Sequence, residues 1–206
     1  AGAMAFYFVW ELLHRSHSVH GVHWLAAIFI TLAIWIILTH LVSLQKSRAI
    51  YPLVMHLAHI GFAIAVVGAM MNSYYGDEMG VRMKPQDRAQ LAGFTFEYVD
   101  YANEIGPNYT AEKARFHLLN EKNELVAVIS PERRYYDVRT MTMAEVGLAH
   151  QGLDDIYIVM GDKFGAKEYA FRLHYKPYVR LLWLGGILMV LASLLALVNY
   201  SRENRK

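Results

Sequence analysis

Two histidines, His56 and His59, stand inside Ala49–Asn72 (AIYPLVMHLAHIGFAIAVVGAMMN), a stretch with no Asp, Glu, Lys or Arg. A helix rises about 1.5 Å per residue, so this stretch is long enough to cross a hydrocarbon core of roughly 30 Å. An ionisable side chain costs free energy in such a helix, which makes the pair a candidate site. Three apart, the two imidazoles lean to roughly the same side. Their chemistry would be axial haem ligation, proton relay or another metal site. Against this stands packing alone, with each ring bonded to a neighbouring Ser or carbonyl. Geometry limits the first option. Trans axial ligands approach an iron from opposite faces of the porphyrin, so two imidazoles on one side of one helix cannot straddle it. At most one of the pair binds a given iron, and a bis-histidine site needs a second helix, which another polypeptide can supply.

Other residues have chemistry in principle. His14, His17, His20 and His23 recur at a spacing of three in HRSHSVHGVHW. Adjacent members can meet on a helix, but the face drifts by about 60° per step, and Gly21 weakens a continuous helix. The simpler reading is a set of imidazoles that gather with Trp24 at a membrane–water interface. His40 lies within a turn of the end of its own apolar run and is expected to reach the interface. Arg133 and Arg134, in PERRYY, can pair with a propionate or another carboxylate, or be solvated or paired within their own domain. The chain has no cysteine, which excludes disulfides, thiolate metal sites and cysteine nucleophiles. No phosphate-cradling Gly-rich loop, zinc-spaced cluster or Ser/His/Asp set can be assembled, so no catalytic residue is assigned.

The elements that must position the histidine pair follow from the distribution of apolar residues. The 206 residues are 55% hydrophobic, against about 45–50% in an ordinary soluble domain. The excess lies in Trp24–Leu44, Ala49–Asn72 and Leu181–Val198. A net charge of +2 gives no reason to expect a nucleic-acid partner. The expected organisation begins with an interfacial or truncated preceding helix over 1–23. That stretch lacks a basic n-region, is a poor signal peptide and reads as an entry into a longer protein. Transmembrane helices over 24–44, 49–72 and 178–198 are joined by a link at 45–48 and a domain at 73–177, with a tail at 199–206. The link Gln45-Lys46-Ser47-Arg48 is so short that the first two spans must run antiparallel. Its basic residues, and those of the tail SRENRK, mark both as cytoplasmic, which places the inserted domain outside.

That domain carries 13 basic and 16 acidic side chains, a formal charge of −3. Turn signals punctuate it, among them Ala92-Gly93, Gly106-Pro107-Asn108 and Ser130-Pro131. Between them lie β-branched and aromatic runs: Phe94–Tyr101, Ala114–Leu119, Leu125–Ile129, Ile156–Met160 and Tyr169–His174. Phe94, Phe96 and Tyr98 alternate with Thr95, Glu97 and Val99, the pattern of a half-buried strand. Thr142–His150 is expected to be a short helix. The fold class expected is an α-helical membrane protein of three transmembrane helices with an inserted extracytoplasmic antiparallel β domain, a small barrel or sandwich.

Five segments together resemble the C-terminal part of the CcmF/NrfE family, the membrane subunits of the cytochrome c haem lyase. They are LAHIG (Leu57–Gly61), GPNYTA (Gly106–Ala111), PERRYY (Pro131–Tyr136), DDIYIVMGD (Asp154–Asp162) and KPYVRLLWLGG (Lys176–Gly186). The resemblance holds in order and spacing from about Tyr51 to Val198 and is weaker over residues 1–48. It implies a role in cytochrome c maturation, in which haem from a periplasmic chaperone is joined to the CxxCH thiols of apocytochrome c. It implies a b-type haem in the membrane, with His59 as one axial ligand to the haem iron and His56 as second choice. It also implies a bacterial inner-membrane location with the β domain in the periplasm. The family's tryptophan-rich haem-handling loop is absent, as is the helix that supplies the other ligand. The chain is therefore expected to be a C-terminal fragment or split-gene product that shares its haem with a helix outside this chain. It is not expected to be active alone. Expected partners are the remaining lyase segments or subunits, the haem chaperone and apocytochrome c through the complex, and membrane lipid. The expected role of the b haem is electron supply, keeping the incoming haem iron reduced. The alternative is a membrane assembly module that binds no haem itself.

Overall fold

A computed structural model of the chain describes residues 6–7, 9–10, 24–45, 50–138 and 140–203. The chain divides into a helical unit, Ala1–Tyr75 with Pro177–Lys206, and a β unit, Gly76–Lys176.

In the helical unit the apolar runs fold as α1 (Trp24–Leu44), α2 (Ile50–Tyr75) and α3 (Val179–Glu203). Each contains a segment long and apolar enough to cross a membrane. Helices α1 and α2 run antiparallel: Ala27 and Ile30 share a buried cluster with Met71 and Tyr75, while His40 meets His56 at the other end. The hydroxyls of Thr31 and Thr39 donate back to Ala27 O at 2.7 Å and Trp35 O at 2.9 Å. Bonding within the helix satisfies them where lipid offers no partner. Helices α2 and α3 pack backbone to backbone. A Cβ on Gly68 would lie 2.5 Å from Leu182 N, and one on Gly185 would collide with Gly61 O. Small residues permit this approach, and van der Waals contact between helices then replaces the hydrophobic drive that lipid cannot supply. Trp35, Leu38, Phe62, Ile187 and Val190 point outward and are exposed, as a lipid-facing surface requires.

The β unit is a sandwich. One antiparallel sheet has the order β1-β10-β9-β8, built from β1 (Asp77–Met83), β10 (Tyr169–Lys176), β9 (Asp154–Lys163) and β8 (Gly147–Gln151). The other has the order β2-β3-β4-β6-β7, built from β2 (Arg88–Leu91), β3 (Phe94–Ile105), β4 (Tyr109–Leu119), β6 (Glu132–Tyr136) and β7 (Met141–Glu145). Strand β5 (Leu125–Ile129) also pairs with β4. Period-two alternation turns Phe96, Tyr98, Phe116 and Leu118 inward from one sheet, against Ile156, Ile158, Phe171 and Leu173 from the other. The Phe116 and Phe171 rings meet edge to face, with centroids 4.8 Å apart.

Local chemistry sets the connections. Ala92 and Gly93 take φ of 51° and 79° between the paired residues Leu91 and Phe94. Two consecutive positive φ values are the mark of a tight I′ hairpin, which glycine adopts without strain. Pro131 lies between β5 and β6, which pair with different halves of β4. It has no N–H for the ladder, and its carbonyl accepts from Ala114 N at 3.0 Å.

The expected helix over Thr142–His150 is not formed. Met141–Glu145 and Gly147–Gln151 are strands β7 and β8, one in each sheet. The helix formers Met, Ala, Glu and Leu are overruled because β6 offers β7 an open edge to pair with. At the first residue of β8, a Cβ on Gly147 would lie 2.6 Å from Pro131 N, so the crossover needs glycine.

Candidate functional site: three histidines between two helices

The apolar sequence of α2 makes a helix, and Pro52 sits in its first turn, where it costs little. His56 and His59 follow within the next two turns. Helix α1 brings a third imidazole, His40, to both. His56 is buried, 4% exposed, and its Nδ1 lies 2.6 Å from Nδ1 of His40. These two rings meet edge to face, with centroids 4.9 Å apart and planes at 65°. On its other side the His40 ring stacks on His59, with centroids 4.7 Å apart and planes at 19°. His59 is exposed, and its Nδ1 lies 2.7 Å from Met55 O.

These contacts dictate tautomers. A carbonyl only accepts, so His59 donates from Nδ1–H, and the neutral ring keeps its lone pair on Nε2. Between His40 and His56 one Nδ1–H donates and the other Nδ1 accepts. Two ligands on a tetrahedral metal with bonds of about 2.0–2.1 Å would stand about 3.3 Å apart. At 2.6 Å the His40 and His56 nitrogens are therefore hydrogen-bonded and do not share a metal. Among the described residues no group of three or more His, Cys, Asp or Glu side chains has the arrangement of a metal site. Among these rings, His59 is the exposed one, and its Nε2 carries a lone pair there. It sits on a helix face that Met55 and Phe62, both exposed, keep apolar.

The residues singled out by sequence are therefore distributed unevenly. His56 and His59 are joined, but through His40 and not directly. The expectation for His40, a ring reaching the interface, overlooked its partners. A coarse signal was there: the link centres between Lys46 and Ser47, so in an antiparallel pair His40 faces Leu53, and His56 lies within one turn of it. His14, His17, His20 and His23 lie outside the described residues.

Arg133 and Arg134 are spent within the β unit. Arg133 binds Glu112 at 3.3 Å. Arg134 bridges Glu132 at 2.9 Å and Glu145 at 3.4 Å, and lies over the Tyr109 ring. Glu112 also accepts from Lys163 at 2.6 Å and from the Tyr101 hydroxyl at 3.3 Å. Burial alone would raise the Glu112 pKa, but the bonds from Lys163 and Arg133 hold it below the ordinary carboxylate range. An open groove of about 520 Å³ lies here, lined by Asn103, Thr110, Glu112, Arg133 and Tyr135. Its charged groups are already matched to one another.

Residues 74–177 match the family described as the CcmF C-terminal beta-sandwich. Over 198 residues the chain is 45% identical to the cytochrome c-type biogenesis protein NrfE of Haemophilus influenzae, covering 96% of this chain and 31% of that protein. It is 35% identical over 145 residues to the cytochrome c-type biogenesis protein CcmF of Pseudomonas aeruginosa, covering 70% of this chain and 22% of that one. A solved structure of the cytochrome c haem lyase CcmF superposes with a TM-score of 0.71 over 94% of this chain and 34% of that chain. At 12% identity this last likeness speaks for the fold. The chain spans about a third or less of the length of these relatives. By its β-sandwich and by its likeness to these relatives, the chain belongs to the CcmF/NrfE family of cytochrome c-type biogenesis proteins and corresponds to its C-terminal part.

Proposed function

We propose that the chain is a subunit or C-terminal portion of a cytochrome c haem lyase, and that His59 is one axial ligand of a membrane b-type haem. One observation carries this reading. Nδ1–H of His59 is committed to Met55 O, which orients the ring and leaves Nε2 as a lone pair on an exposed apolar face. That is the donor a haem iron requires, and the residues present fit the group. Bound there, a haem supplies one-electron redox chemistry. The protein's part is to hold the ring, fix its tautomer and exclude water.

The second ligand comes from a helix outside this chain. The rings of His40 and His59 are stacked and turn faces to each other, whereas trans ligands must aim nitrogens along one axis. His56 is buried with its Nδ1 engaged. The basic residues of the link and tail support a cytoplasmic location for both, with the β unit on the periplasmic side of the bacterial inner membrane. With no cysteine in the chain, the thiols that receive haem belong to apocytochrome c, and the chaperone that delivers haem meets the assembled complex.

The test is a reduced-minus-oxidised spectrum of the chain in detergent, alone and combined with the upstream lyase segments. A six-coordinate b-haem signal is expected only in the combined sample, and His59→Ala should abolish it. An unchanged spectrum in His59→Ala removes the ligand assignment. A signal from this chain alone would identify a small membrane cytochrome.

The His40–His56 bond favours a second reading, in which the histidines only pack and the chain is an assembly module that binds no haem. That reading expects normal haem content in a double His56/His59 alanine variant. It also expects partner co-purification to be lost when the β unit is removed.

A further inference from the structure

His59 is held from two directions, and the second hold is not on its own helix. The bond to Met55 O restrains the ring at Nδ1, but rotation about that contact remains open. The face of the ring is covered by His40, nearly parallel at 19°. His40 is itself fixed: its Nδ1 is bonded to His56, whose ring is buried to 4% exposure. The three rings thus form a chain from a buried anchor, through a clamp on the neighbouring helix, to an exposed ring with one free nitrogen.

We propose that His40 is a positioning residue that sets the plane of the His59 imidazole, with His56 as its anchor. The proposal rests on His59 being the haem ligand. The plane of an axial imidazole determines how its π orbitals meet those of the iron, so the ring that fixes this plane tunes the cofactor without touching it. Groups that orient a metal-ligating histidine commonly change affinity by 10- to 100-fold when removed. His40 does this by stacking, and stacking needs a flat ring, not a titrating one. The hydrogen bond to His56 serves to keep that ring in place. The arrangement also couples the site to the α1–α2 contact: a shift of α1 turns His40, and with it the His59 plane.

The experiment uses the assembled lyase containing this chain and three variants, His40→Ala, His40→Phe and His56→Leu. The readouts are haem retained per complex and the g-anisotropy of the ferric low-spin electron paramagnetic resonance signal. In His40→Ala, haem retention should fall roughly tenfold, and the signal of the remaining haem should shift and broaden. His40→Phe keeps a flat ring over His59 and should restore retention and line shape. His56→Leu leaves the His40 ring but frees it, and should broaden the signal with a smaller loss. Wild-type retention and line shape in His40→Ala would overturn the proposal. So would a His40→Phe variant that behaves like His40→Ala. Haem retained in His59→Ala would instead overturn the ligand reading on which this rests.

Discussion

At the residue scale, burial and partners decide what each imidazole does. His59 is exposed and holds a free nitrogen, while His56 is buried and spent on a neighbour. His174 in β10 shows a third case. It is 7% exposed, stacks on Tyr157 at 4.3 Å, and its Nδ1 lies 3.3 Å from Glu78 without hydrogen-bond geometry. Burial lowers its pKa below the ordinary value of 6.5; Glu78 opposes the shift, and Lys176 and Arg172 add to it. The folded state therefore keeps His174 neutral, and the unfolded chain takes up the proton first as pH falls. The stability that follows is fully present above pH 6.5 and is lost as pH falls below it. Amide protection in β9 and β10 should therefore drop as pH falls below 6.5, and His174→Phe should flatten that dependence in hydrogen-exchange measurements. Of the candidate site, the sequence makes His56 and His59 visible because their helix carries no Asp, Glu, Lys or Arg. His40 is less legible: the link length only brings it near His56, and which residue of α2 it meets is a tertiary fact.

Among the elements, legibility follows burial. Strand β3 alternates large aromatic and polar residues, and Phe96 and Tyr98 are fully buried, so its pattern shows. Strand β1 reads Asp-Glu-Met-Gly-Val-Arg-Met, and only Met83 is buried. Such a strand is held by its ladder with β10, which no local pattern reveals. The same holds for β7, whose Met141 and Met143 are exposed and whose pairing with β6 overrides helix propensity. The helices, legible by composition, are set by contacts that composition does not show. Gly68→Ala would force a methyl to within 2.5 Å of Leu182 N, a backbone atom that cannot swing aside. The cost should be about 1–3 kcal/mol of overpacking. Gly186 has nothing within 4 Å of its Cβ position, so Gly186→Ala is the control that meets no neighbour. Thermal unfolding in detergent followed by circular dichroism separates the two, and equal midpoints would contradict the tight α2–α3 contact.

For the whole molecule, a β unit with its own core is inserted between two helices of a unit with another. The β unit begins and ends on neighbouring strands, since Asp77 pairs with Tyr175 and Met83 with Tyr169. A chain ending at Lys167 lacks β10, the strand between β1 and β9. Its β1 amides should exchange at unfolded-chain rates, while the β3–β4 hairpin, paired over ten positions, retains protection. Protected β1 amides in that truncation would mean β1 has another partner.

The pairing of first strand with last also sets a delay. A ribosome adds about 5–20 residues per second, and Asp77 and Tyr175 are 98 residues apart. Strand β1 therefore waits roughly 5–20 s, after it is made, for the strand it belongs to. Through that interval it presents an unpaired edge to every other chain nearby. Its composition suits the wait: Asp77, Glu78 and Arg82 are charged, and Gly80 weakens its own propensity to extend. The same residues that make β1 hard to read as a strand keep it from pairing before β10 arrives.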